Sequence, residues 1–431
     1  MSTTLDGVDE RVRDADENVR REAVLALARR LSAEFARGAA KTDEAAAFPT
    51  AHVQRLRETG LLGLLVPTAH DGLGLGLHDM TRVGRILGAG CASTAMIWAM
   101  HCQQVATLVR HAGDELRSRV LPRIAAGDCL LASITTEAGK GGHLLSALAA
   151  LDTDENGLLL ERDAPVVTAG LEADAYLVTM RTGPDSPAND VSLAFVPRED
   201  AEVAFRSGWE TLGMRGTASV GLTLRARLAE EHLVGGPGGF PAVAVRTLIP
   251  VGHLAWCAVW LGVAQGALRH VVGLLRDPKI RRERGRSDLA SHQLARVRLR
   301  LDAAGAFLGA CLTEYEELDA LESAGPGRHS DVAFQLHING LKVEVSEAAF
   351  GAVDDLVQIA GLRYGYTRSP GTPLERAFRD LRAARLMYSN DRLLVANGQL
   401  ALLDREVGLL SVDGASGAGH ATFFSTADGK V

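Results

Sequence analysis

The stretch Leu374–Leu394, reading LERAFRDLRAARLMYSNDRLL, decides the fold. Its first half is an amphipathic helix led by Arg379 and Asp380, and its second half carries Tyr388, Ser389 and Asn390. Moving outward, the helical period continues in both directions. Four long helices are expected over about 241–277, 288–322, 331–360 and 374–404. The turns Gly325-Pro326-Gly327 and Ser369-Pro370-Gly371 punctuate them, because glycine and proline stop helices.

Further upstream the pattern changes twice. Leu158–Leu160, Ala175–Met180, Val191–Val196 and Val220–Leu224 are short apolar or alternating runs bounded by Gly, Asp, Asn and Pro, which reads as antiparallel β structure. Val234–Phe240, rich in glycine, is a linker. Before the strands, Val24, Leu25, Leu27, Ala28 and Leu31 recur at helical spacing, and a second helix starts near Thr50 and stops at Gly60. The glycine-rich Asp71–Gly76 lacks the spacing and the distal acid of a dinucleotide loop. The expected architecture is α+β with segregated elements: an N-terminal helical domain (1–128), a β-barrel-like middle domain (129–234), a C-terminal four-helix bundle (235–405) and a tail (406–431).

With 431 residues, 47% hydrophobic and 23% charged, the composition is that of a globular protein with a large core. A net charge of −7 gives no reason to expect nucleic acid or an anionic membrane as partner. Five cysteines without CxxC spacing suggest reduced, buried thiols. The start shows no signal-peptide pattern, so a cytoplasmic location is expected. No HExxH, GxSxG or P-loop occurs, and no metal site is expected.

Several segments together resemble the acyl-CoA dehydrogenase family over about 20–405. They are Phe48-Pro49, Gly60–Gly63, Val66-Pro67, Leu121-Pro122, Ala126–Asp128, Trp209–Thr217 and the Arg379-Asp380 helix. The resemblance implies FAD bound between the β domain and the bundle and completed by a second subunit, hence a homodimer or homotetramer. On the flavin side it implies Thr135, Thr136, Gly139, Gly141 and Gly142 of SITTEAGKGG, together with Val167 and Thr168. Lys140 and His143 add positive charge beside this loop. Arg282 or Arg284, and Gln358 and Gly361, match segments that reach a neighbour's cofactor.

The family's catalytic Glu lies nine residues after the Arg, where this chain has Tyr388, or thirteen residues before the Gln of a Gly-Leu-x-Gln motif, where it has Gly252. Asp391 could stand in with a three-residue shift, and His101 lies where relatives can carry a histidine. Three functions are therefore weighed. The first is α,β-dehydrogenation of an acyl thioester with an electron-accepting flavoprotein, the second a flavin monooxygenase using O2 on another small molecule, and the third an inactive flavin-binding partner subunit.

Overall fold

The computed structural model describes residues 15–139, 143–155, 157–284, 287–322, 328–368, 371–405 and 407–410. Helix α1 (Glu17–Ala45) begins at Asp16, whose carboxylate accepts the Asn18 N–H at 2.9 Å, satisfying a donor the helix itself cannot pair. Helices α2 (Thr50–Glu58), α3 (Leu77–Gly88), α4 (Ala92–His111) and α5 (Asp114–Ala125) follow. The glycine-rich loop before α3 is a packed turn. A Cβ on Gly72 would lie 2.0 Å from the Val66 carbonyl oxygen, and Gly74 has φ +58°, so only glycine fits.

The strands are β1 (Leu131–Ile134), β2 (Asp152–Asp154), β3 (Gly157–Val167), β4 (Ala175–Arg181), β5 (Val191–Pro197), β6 (Ala201–Ser207), β7 (Val220–Leu228) and β8 (Leu233–Val234). They form two four-stranded sheets, ordered β1-β4-β5-β8 and β2-β3-β7-β6. The all-antiparallel expectation needs correcting at one place, since β1 pairs with β4 in parallel. The first sheet is buried on both faces. Leu177, Leu193 and Phe195 join the helical core, while Tyr176, Val178 and Ala194 join a second core against the other sheet. Period-two alternation therefore divides one strand between two cores.

The C-terminal half comprises α6 (Phe240–Val243), a π-turn at Ala244–Leu248, α7 (Ile249–Arg276), α8 (Pro278–Arg284), α9 (Asp288–Glu322) and α10 (Val332–Gly361), then α11 (Leu374–Arg382) and α12 (Asn390–Ala401). The continuous segment Phe240–Arg276 is long and apolar enough to cross a membrane, but 94% of its most apolar window is buried; it is the core helix of this molecule. It crosses α3 at backbone contact, because a Cβ on Gly262 would lie 2.1 Å from the Arg85 carbonyl oxygen and one on Gly88 2.5 Å from that of Val259. The single helix expected over 374–404 is in fact two. The chain turns left-handed at Tyr388, φ +51°, and helix resumes at Asn390.

Candidate functional site

A cleft of about 570 Å³ lies between the ends of the β-strands, helices α4 and α7, and the segment around Tyr388. Two motifs remote in sequence close it. Asp380 is buried and its carboxylate accepts the Met214 N–H at 2.6 Å, while a Cβ on Gly213 would lie 2.1 Å from the Arg379 carbonyl oxygen. The Trp209–Thr217 loop is thus seated directly on the Arg379-Asp380 helix. Burial pushes the Asp380 carboxyl up to about 6. Arg379 completes the junction, donating to both Asp43 carboxylate oxygens at 2.9 and 2.6 Å, to Glu375 at 2.8 Å and to the Leu212 carbonyl at 3.0 Å. Hydrogen bonding to Asp43 holds the guanidinium above its ordinary pKa.

The sheet-side wall is lined by hydroxyls. Thr168 and Ser219 hydroxyls are 2.9 Å apart, and Ser219 and Thr217 hydroxyls 2.8 Å apart. Thr217 donates onward to the Met214 carbonyl. Ser133, Thr135 and Thr136 lie on the same side, with the Thr136 hydroxyl donating to the Val166 carbonyl at 2.8 Å. Glu137 is structural: it pairs with the fully buried Arg162 at 2.6 Å and accepts the N–H groups of Leu148 and Ala149. Glu137 thereby ties Arg162 of β3 to the backbone at Leu148 and Ala149.

The helix-side wall is apolar and aromatic: Met96, Met100, His253, Trp256, Leu386, Met387 and Tyr388. His253 was not singled out by the sequence reading. It sits within a nearly unbroken apolar run, one residue after Gly252; a histidine there, three residues before Trp256, was the available signal. Its Nδ1–H donates to the Ile338 carbonyl at 3.2 Å, and its ring meets Tyr388 edge-on at 5.4 Å between centroids. Desolvation, helped by Lys342, lowers its pKa to about 3, so Nε2 is an unprotonated acceptor. Burial pushes the Tyr388 phenol up to about 12. Beneath the wall, fully buried Lys342 donates to Asn390 Oδ1 at 2.6 Å and to the Tyr388 carbonyl at 3.4 Å. Desolvation lowers its pKa to about 8.

Of the expected site residues, Thr135, Thr136, Thr168 and Tyr388 line this cleft together. Val167 is fully buried in the intersheet core, while its neighbours Val166 and Thr168 line the cleft. Gly141 and Gly142 lie outside the described residues, as does the side chain of Arg284. Arg282 and Gln358 are exposed, and neither they nor Gly361 line the cleft.

Two catalytic expectations are corrected. His101 is a core histidine: its Nδ1 accepts the Leu131 N–H at 3.0 Å and its Nε2–H donates to the Leu62 carbonyl at 3.0 Å. Both ring nitrogens are used, and burial lowers its pKa to about 4. Asp391 is exposed in the first turn of α12 and lines no part of the cleft, because the left-handed turn at Tyr388 restarts the helix just before it. The second base position is closed as well. A Cβ on Gly252 would lie 2.2 Å from Gln103 Nε2, so no carboxylate fits there without moving Gln103. Among the described residues, the cleft walls contain no Asp or Glu.

Sequence profiles for the N-terminal and C-terminal domains of acyl-CoA dehydrogenase match residues 18–128 and 254–391. The chain belongs to the acyl-CoA dehydrogenase family, whose members are flavoproteins. Among curated relatives, it is 28% identical to the L-evernosamine nitrososynthase of a Micromonospora species, covering 89% of this chain and 90% of that one. It is 27% identical to an acyl-CoA dehydrogenase of Bacillus subtilis, covering 86% and 94%. The solved structure of KijD3 in complex with dTDP superposes with a TM-score of 0.75 at 26% identity, covering 90% of this chain and 97% of that one.

The cleft suits a flavin. Its row of hydroxyls at strand ends supplies acceptors for the polar edge of the ring system. Val166, 39% exposed, and the Met-rich wall suit the apolar part. Thr135, Thr136, Thr168 and Ser219 would hold it.

Proposed function

We propose that this protein is a flavin-dependent monooxygenase that oxidises the nitrogen of an amino sugar. The observation that carries the reading is a cleft walled without a carboxylate among the described residues. Desaturating an acyl thioester requires removal of an α-proton by a base poised in the cleft. Here the helix-side wall offers the Tyr388 phenol, pushed up to about 12, and the His253 imidazole, brought down to about 3. Oxygenating an amine needs no such base. The overall conversion, R–NH2 + O2 + reduced flavin → R–NHOH + H2O + oxidised flavin, balances with the amine attacking as its own nucleophile. An amino-sugar substrate is suggested by similarity to the nitrososynthase and to a protein crystallised with dTDP.

The flavin, when bound and reduced, supplies activated oxygen. The chain's own residues exclude water through Met96, Met100, Leu248 and Trp256, and offer His253 Nε2 as an acceptor that can orient an amine N–H. The cofactor is taken as FAD shared between subunits of a homodimer or homotetramer. Arg282, Gln358 and Gly361, expected to contact a flavin, do not line this chain's cleft, so they would serve one in a second copy. The second reading, acyl-thioester dehydrogenation, is supported by the Bacillus subtilis relative.

The test uses the flavin-loaded protein. Reduced anaerobically and then given O2 with a dTDP-linked amino sugar, it should yield a product heavier by one oxygen atom by mass spectrometry. Oxygen-free bleaching of the oxidised flavin by acyl-CoA thioesters, with no oxygen insertion, would sink the proposal in favour of the second reading.

A further inference from the structure

Three arginines follow one another at three-residue spacing along α11 and its extension, and they are treated differently. Arg379 is neutralised by Asp43 and Glu375, and Arg385 by Glu347 at 2.6 Å. Arg382, between them, lines the cleft. Its Nη1 is sealed from water without a hydrogen-bond partner, and no ion pair reaches its guanidinium among the described residues. Trp256 Nε1–H, on the same apolar wall, is likewise sealed and unpaired. Both orphans are donors. Leaving a buried donor unmade costs about 1–3 kcal/mol, and more for a charged one. The side chain as a whole is half-buried, and Nη1 is the nitrogen that water does not reach. With no acidic residue among the described cleft walls, Arg382 brings a positive charge to the cleft without a carboxylate beside it there.

We infer that Arg382 is a substrate-recognition residue that takes an oxyanion, specifically a diphosphate oxygen, of the group carrying the substrate. The inference rests on the monooxygenase reading for the identity of the carrier, a nucleoside diphosphate. The planar fork of arginine suits phosphate oxygens. Coenzyme A offers the same diphosphate chemistry, and the test separates the two sources.

Flavin-loaded wild type, Arg382→Gln and Arg382→Lys are titrated calorimetrically with inorganic pyrophosphate, dTDP and coenzyme A at two salt concentrations. The expected result is binding of pyrophosphate and dTDP that weakens with salt. Arg382→Gln should lower affinity for both by about 10- to 100-fold, the range for a charge-assisted hydrogen bond, and Arg382→Lys by less. Flavin affinity should be the same in all three, which also verifies that each variant is folded. If coenzyme A shows the Arg382 dependence and dTDP does not bind, the role of Arg382 stands and the amino-sugar reading falls. Equal affinity of wild type and Arg382→Gln for every diphosphate overturns the inference. So does a loss of flavin affinity with diphosphate binding unchanged, because the guanidinium would then serve the cofactor.

Discussion

The two walls of the cleft are built on opposite principles. The sheet-side wall presents Thr168, Ser219, Thr217 and Thr136, whose hydroxyls are bonded to one another or to backbone. The helix-side wall presents thioethers, indole, imidazole and phenol, with Trp256 Nε1 and Arg382 Nη1 unpaired. A pre-bonded wall is rigid and suits a ligand that is always the same, whereas an apolar wall with unmade donors is completed by what enters. The difference teaches that cofactor and substrate roles can be divided between the walls even where the family's catalytic acid is missing.

The largest effect is expected from the junction that keeps the walls apart at a fixed distance. Asp43→Asn removes the charge that Arg379 grips with two hydrogen bonds. Breaking a buried pair costs about 3–5 kcal/mol. Glu375 and the Leu212 carbonyl remain as partners, so a loss of about 2–3 kcal/mol in urea unfolding is expected. An unchanged midpoint would mean that the walls are held by packing alone.

A smaller effect tests what ties α4 to β1, the strand that carries Ser133. His101 bridges them while neutral, its pKa lowered to about 4 by burial. The unfolded chain binds a proton near 6.5 and the folded one does not, so the contribution is complete above about 6.5 and is lost as pH falls towards 4. His253, lowered to about 3, acts in the same direction. Asp380, raised to about 6, opposes them, since its contribution is greatest below its unfolded pKa and is lost as pH rises through 6. Stability measured at pH 4.5 and 7 should fall by about 2 kcal/mol less in His101→Asn than in wild type. Parallel losses in the two proteins would remove His101 from the acid response.

The smallest effect sharpens the division of labour. Thr168→Val breaks the hydroxyl row and should weaken flavin binding about fivefold to tenfold, the worth of one neutral hydrogen bond. Tyr388→Phe, on the other wall, should leave flavin affinity unchanged. Fluorescence titration of both variants decides it, and equal losses would erase the distinction between the walls.

Much of this was legible in the chain. Helices and strands follow from local period and composition, whereas the motifs at Trp209–Thr217 and Arg379-Asp380 stand out only through their resemblance to the family. Their meeting does not, because 166 residues separate Met214 from Asp380 and only the tertiary fold joins them. The break at Tyr388 was hidden because Leu386 and Met387 favour helix, so local propensity pointed the wrong way. His101 misled because it lies where relatives can carry a histidine, and only the fold reveals its two backbone partners. His253 was passed over because its own signal was one polar residue in an apolar run.

Lys342 grips the turn at Tyr388 through a main-chain carbonyl, together with the side chain of Asn390. A carbonyl is the same whatever residue bears it. The path of the chain from Leu386 to Ser389 is therefore specified from below, while the side chains that project from it are left to vary. Tyr388 itself occupies a left-handed conformation that costs a non-glycine residue about 1 kcal/mol, a cost that glycine or asparagine would largely remove. Such a segment can exchange its chemistry over evolutionary time without refolding the bundle that carries it.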